Sequence, residues 1–157
     1  MNAVEHVRIE TAPGVVLHVA TAGPADGPPV LLLHGFPELA FSWRHQLAPL
    51  ADAGYRVLAP DMRGYGQSSR PAAIEAYDNT SLRGDVLALI DWCGVERAAV
   101  IGHDWGSSLT WHCALAAPER LACGAGLSVP AVPRAPAAPL PIFRRHMGED
   151  FYIVWFQ

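Results

Sequence analysis

The chain has 157 residues, enough for one domain with a core of its own. Its content of 51% hydrophobic and 17% charged residues excludes a disordered chain and suits a buried α/β interior. A net charge of −4 without any basic run excludes the electrostatic footprint of a nucleic-acid partner.

The N-terminus is charged early and lacks a long apolar block, so neither a signal peptide nor a membrane span is expected there. His6 to Glu10 and Val15 to Ala20 alternate apolar and polar residues around Pro13-Gly14, which predicts an antiparallel hairpin. After a Gly/Pro turn, Val30 to Leu33 is wholly apolar, as in a strand buried on both faces. His34-Gly35-Phe36-Pro37 ends that strand. Ser42 is the expected cap of a helix carrying Trp43, Leu47 and Leu50, which Gly54 stops. Arg56 to Ala59 is a further short strand, and a Gly- and Ser-rich loop runs from Asp61 to Arg70.

A helix is predicted from about Thr80 to Cys93, capped by Asn79 or Thr80, with Leu82, Val86, Leu89 and Ile90 as its apolar stripe. Ala98 to Ile101 leads as a strand into Asp104, and a helix follows to about Pro118. Leu121 to Val129 is another strand candidate. Alternating strands and helices imply a mostly parallel sheet behind an antiparallel N-terminal hairpin. Pro130, Pro133, Pro136, Pro139 and Pro141 then predict an extended linker, because no helix tolerates that density. The expected division is a partial core at 1–129 and, at 130–157, a Pro-rich linker with the start of a helical segment. Cys93, Cys113 and Cys123 sit in apolar runs without CxxC spacing. They read as buried, reduced thiols of a cytoplasmic protein, not as disulfides or metal ligands.

The chemistry centres on Gly102-His103-Asp104-Trp105-Gly106. Strand, Gly, acid, Gly and helix in this order is the spacing of a nucleophile elbow. The alternative is that Asp104 only caps the helix, since Asp is a good N-cap. A side-chain carboxylate is ionised at neutral pH and attacks without a base to activate it. It suits displacement at an sp³ carbon bearing a leaving group, such as an epoxide or a halide. The ester so formed needs water, a general base and an oxyanion hole. The backbone N–H groups of Phe36 and Trp105 are the expected oxyanion hole, with Phe36, Pro37 and Trp105 lining the substrate site. The loop from Asp61 to Ser69 is expected to brace the oxyanion loop without reacting.

The motifs His34-Gly35-Phe36-Pro37-Glu38, Ser42-Trp43-Arg44, Asp61-Met62-Arg63-Gly64-Tyr65-Gly66-Gln67-Ser68 and Gly102 to Gly106 together resemble the epoxide hydrolases of the α/β-hydrolase superfamily. The resemblance runs from about residue 5 to the end. Haloalkane dehalogenases share the Asp elbow but usually carry a polar halide-binding residue in place of Phe36. Fluoroacetate dehalogenases share His-Gly-Phe-Pro but usually have Arg in place of Trp105.

The resemblance implies that Phe151 to Gln157 is the first lid segment. Tyr152 would then donate its phenol proton to the epoxide oxygen, and Phe156 would line the same pocket. It implies a small apolar epoxide as substrate and no metal or organic cofactor. A second lid Tyr, an acid and a base His are expected beyond this stretch in the family, along with the C-terminal strands and most of the lid. The seven histidines present read as structural or surface groups. The expected activity is therefore an incomplete epoxide hydrolase, inactive or limited to the first half-reaction, with self-association through exposed apolar surface. A dehalogenase and a non-catalytic α/β-hydrolase-like module are the alternatives.

Overall fold

The computed structural model describes residues 3–131 and 139–151. Its centre is a six-stranded sheet of order β1-β2-β4-β3-β5-β6. β1 (Glu5–Ala12) and β2 (Val15–Ala22) form the antiparallel hairpin, turned at Gly14. β2 pairs antiparallel with β4 (Arg56–Pro60). β3 (Pro29–Leu33) then runs parallel to β4 and to β5 (Ala98–His103), and β5 runs parallel to β6 (Leu121–Leu127). The sheet is thus mostly parallel behind an antiparallel start, as the alternation of strand and helix patterns implies.

Each face of the sheet has its own core. Leu31, Leu33, Leu58 and Val100 pack against α2 (Asn79–Trp92) and α3 (Trp105–Ala116) through Val86, Leu89, Ile90, Leu109 and Cys113. The alternate residues Val30, Leu32, Val57 and Ala59 pack against α1 (Arg44–Asp52) and the 3-10 turn before it through Trp43, Leu47 and Ala51. β3 is buried at every position because it carries apolar side chains to both cores.

Four expectations need correction. Ser42 does not cap α1, because a 3-10 turn over Ala40–Trp43 precedes the helix and puts Trp43 at the cap position. α2 is capped one residue earlier than expected: Asp78 Oδ1 accepts the Ser81 N–H at 2.6 Å. Pro139 and Pro141 are not in extended chain but open a helix, α4 (Pro139–Met147). The first helical turn has no intrahelical use for N–H groups, so proline costs little there.

The fourth correction concerns the thiols. Cys113 is buried, and burial pushes its thiol up to about 11. Cys93 is half-buried and Cys123 exposed. Among the described residues β6 is the edge strand of the sheet, and its Gly124 stands against Thr110 and its Gly126 against Ser107 and Trp111 of α3. By strand alternation Cys123 faces the opposite side, where it is exposed. Residues 132–138 and 152–157, with the expected linker prolines Pro133 and Pro136 and the expected lid residues Tyr152 and Phe156, lie outside the described residues.

Candidate active site

The C-terminal ends of β3 and β5 lie side by side, with Leu33 opposite Gly102. The chain leaves β5 through Asp104 and enters α3 at Trp105. Asp104 has φ 52 and ψ −117, a conformation L-residues rarely adopt. Glycine makes the turn possible on both sides. A Cβ at Gly102 would stand 2.0 Å from the Gly106 carbonyl oxygen, and one at Gly106 would stand 2.2 Å from that of Leu33. The elbow is therefore packed against itself and against β3 too closely for any side chain at either position.

Asp104 sits at the cap position of α3, yet its side chain makes no cap hydrogen bond. Its Oδ1 accepts the Phe36 N–H at 2.9 Å instead. The loop after β3 thus comes to the carboxylate, and Gly35 allows it: a Cβ there would lie 2.4 Å from Asp104 Cβ and 2.6 Å from Oδ1. Trp105, the first residue of α3, has a backbone N–H with no intrahelical acceptor. Phe36, whose N–H meets the carboxylate, and Trp105, which follows Asp104, are 40% and 45% exposed. Pro37 is exposed beside them, after a cis peptide bond with Phe36.

The loop is held from beneath by His34, which is fully buried. Its Nε2 accepts the Met62 N–H at 2.9 Å, which leaves Nδ1 to donate to the Gly35 carbonyl at 2.8 Å. The Met62 contact requires a neutral ring, and burial lowers the His34 pKa in the same direction. Asp61 holds a second set of contacts. It accepts the N–H groups of Ala40 at 3.0 Å and Gln67 at 3.1 Å, and it pairs with His18 Nδ1 at 3.1 Å. Burial raises the Asp61 carboxyl, but these donors together outweigh it and hold the group below the ordinary carboxylate range.

Arg63 donates to both carboxylate oxygens of Asp85, at 2.9 and 2.8 Å, and to the Ala76 carbonyl at 2.8 Å. This pair ties the loop after β4 to α2. The expected bracing by the Asp61 to Ser69 loop is thus carried by named bonds. Tyr65, on the same loop, meets His34 edge-on with ring centroids 4.9 Å apart. Burial, and secondarily the nearby Asp104 charge, raise its phenol pKa.

The structure brings Asp104, Phe36, Pro37 and Trp105 together, as their motifs imply. Tyr152 and Phe156 lie outside the described residues. Two features beside the site were not anticipated. His103 Nδ1 pairs with Glu38 Oε2 at 3.0 Å, joining the residue before Asp104 to the oxyanion loop. Glu38 follows the His-Gly-Phe-Pro motif directly, so adjacency to that motif was the available signal. The other is the fastening of residue 129 to α3, for which the sequence carries no local mark.

Residues 28–152 match the family model described as alpha/beta hydrolase fold, and the chain belongs to that family. Within it, the similarity is to epoxide hydrolases. The chain is 55% identical to Epoxide hydrolase A of Mycobacterium tuberculosis over 151 residues, covering 96% of this chain and 47% of that protein. It is 45% identical to Epoxide hydrolase 3 of Siraitia grosvenorii, covering 100% of this chain and 49% of that one. Among solved structures, Epoxide Hydrolase A from Mycobacterium thermoresistibile superposes with a TM-score of 0.93 at 54% identity, over 99% of this chain and 49% of that chain. The chain spans about half the length of the relatives it matches.

Proposed function

We propose that this chain carries the nucleophilic half of an epoxide hydrolase. One observation carries the reading: an aspartate at a strained elbow has its Oδ1 2.9 Å from the Phe36 N–H and its side chain free of helix capping. The other oxygen, Oδ2, attacks an epoxide carbon. A C–O bond forms, the ring C–O bond breaks, and the ring oxygen leaves as an alkoxide. Oδ1 becomes the ester carbonyl, already directed at Phe36, with the Trp105 N–H as second donor. When water adds to the ester, these two donors stabilise the oxyanion on Oδ1. Tyr152 supplies the proton to the alkoxide, a role that rests on the family resemblance. Phe36, Pro37 and Trp105 line the site for a small apolar epoxide, and the family resemblance adds Phe156 to that lining.

Hydrolysis of the ester needs a base. His34 is buried with both ring nitrogens engaged, His18 is paired with Asp61, and His103 is paired with Glu38. None of these three is placed to act as that base, so the step assigned to this chain is the formation of the alkyl-enzyme. Residues 1–129 act as a partial catalytic core, and 130–157 as the connector and first lid segment. A cytoplasmic setting fits the three free thiols, and β6, at the edge of the sheet among the described residues, favours self-association.

Intact-protein mass spectrometry after incubation with styrene oxide tests the reading. The expected result is a persistent gain of one epoxide mass, mapped to Asp104 and missing in Asp104→Asn. A folded wild-type chain that gains nothing would sink the proposal. Halide release from a haloalkane, with no epoxide adduct, would favour the dehalogenase.

A further inference from the structure

The point where the chain leaves β6 is fastened twice to the helix that follows the nucleophile. Ser107 and Trp111 lie one turn apart on the face of α3 that packs on β6. Both donate to one acceptor, the Val129 carbonyl: Ser107 Oγ at 2.6 Å and Trp111 Nε1 at 2.8 Å. Both lone pairs of that oxygen are thereby used. Ser107 is fully buried, and Gly126 makes room for the pair. A Cβ at Gly126 would stand 2.2 Å from Ser107 Oγ and 2.5 Å from the Trp111 ring.

The residue before Val129 is strained. Ser128 has φ 71, in the left-handed region that favours glycine and strains other residues. Such a conformation persists only where its surroundings hold it. The residue before that, Leu127, gives its carbonyl to the Asp104 N–H at 3.2 Å. The contacts form a continuous path: Ser107 and Trp111 hold Val129, Val129 holds the Ser128 turn, and that turn aims the Leu127 carbonyl at the main chain of Asp104.

We propose that Ser107 and Trp111 are positioning residues for Asp104. Their clamp on Val129 keeps Ser128 from relaxing into extended chain, and so keeps the elbow N–H engaged. The functional side of this proposal rests on the reading of Asp104 as the nucleophile.

The test uses Ser107→Ala, Trp111→Phe and the double variant, with amide hydrogen exchange and single-turnover alkylation by styrene oxide read on each. One hydrogen bond lost corresponds to about a fivefold faster opening, so the double variant should exchange the Asp104 amide up to about 25-fold faster. The amides of Val100 and Leu31 should keep their wild-type rates. Alkylation of Asp104 at saturating epoxide should slow in the double variant, with the half-saturating concentration unchanged. An unchanged Asp104 amide, or a parallel rise at Val100 and Leu31, overturns the clamp. Faster exchange with alkylation at the wild-type rate overturns the positioning role. If the wild type forms no adduct, the nucleophile reading fails, and the exchange data still decide the clamp.

Discussion

At the scale of single residues, the site depends on places where a side chain is missing. Gly35, Gly102 and Gly106 each stand where one added carbon would meet atoms of the elbow or of β3 closer than 2.5 Å. Gly102 and Gly106 face backbone, so their substitution costs the fold; overpacking of this kind is worth about 1–3 kcal/mol. Gly35 faces the Asp104 side chain instead, so Gly35→Ala strikes the chemistry first. It should displace the carboxylate from the Phe36 N–H and slow alkylation by about 100-fold, the scale of a small misplacement of a reacting group. Thermal unfolding should fall far less. A Gly35→Ala protein alkylated at the wild-type rate would show that the Phe36 contact does not position Asp104.

At the scale of elements, two loops are pinned by groups whose protonation matters. His34 must be neutral to accept from Met62, and its pKa is lowered chiefly by burial. Asp61 must be charged, and its pKa lies below the ordinary 3.8 although burial alone would raise it. Both folded-state values are depressed, so the unfolded chain binds more protons as pH falls. The His34 contribution is full above its unfolded value of about 6.5 and declines as pH drops below it. The Asp61 contribution is full above its unfolded value near 4 and is lost as pH falls through the lower folded one. Urea unfolding against pH should therefore show stability decreasing below about pH 6.5, with a further loss below about pH 4. Asp61→Asn should reduce the second part of that loss, the remainder coming from Asp78, whose carboxyl is also held low by its bonds to Ser81.

The strands and the elbow were legible in the sequence because their signals are local. An apolar run marks β3, and glycine spacing marks the turn at Asp104. The caps were less legible. Ser42 has a capping side chain, but the 3-10 turn over Ala40–Trp43 moved the helix start past it. Pro139 and Pro141 read as helix breakers, because position within a helix decides what proline costs and density alone does not reveal position. The Ser107 and Trp111 contacts with Val129 join residues 22 and 18 apart, by side chains onto a backbone atom, and no pattern along the chain records them.

At the scale of the molecule, the two faces of the sheet are unequally covered. β5 and β6 pack against α3 on one face, while Cys123, Ala125 and Leu127 are exposed on the other. β6 also carries no charged side chain and no proline, the usual guards of an edge strand. The chain should associate as its concentration rises. Light scattering should show a mass above that of a monomer at micromolar to millimolar concentration, the range in which exposed edges pair. Ala125→Lys should return it to the monomer; a wild-type chain that stays monomeric throughout that range would exclude the edge as a contact.

The backbone of Asp104 sets durability against reactivity. A residue held at φ 52 and ψ −117 stores about 1–3 kcal/mol that glycine would not. Asp104→Gly should therefore raise the melting temperature while abolishing alkylation.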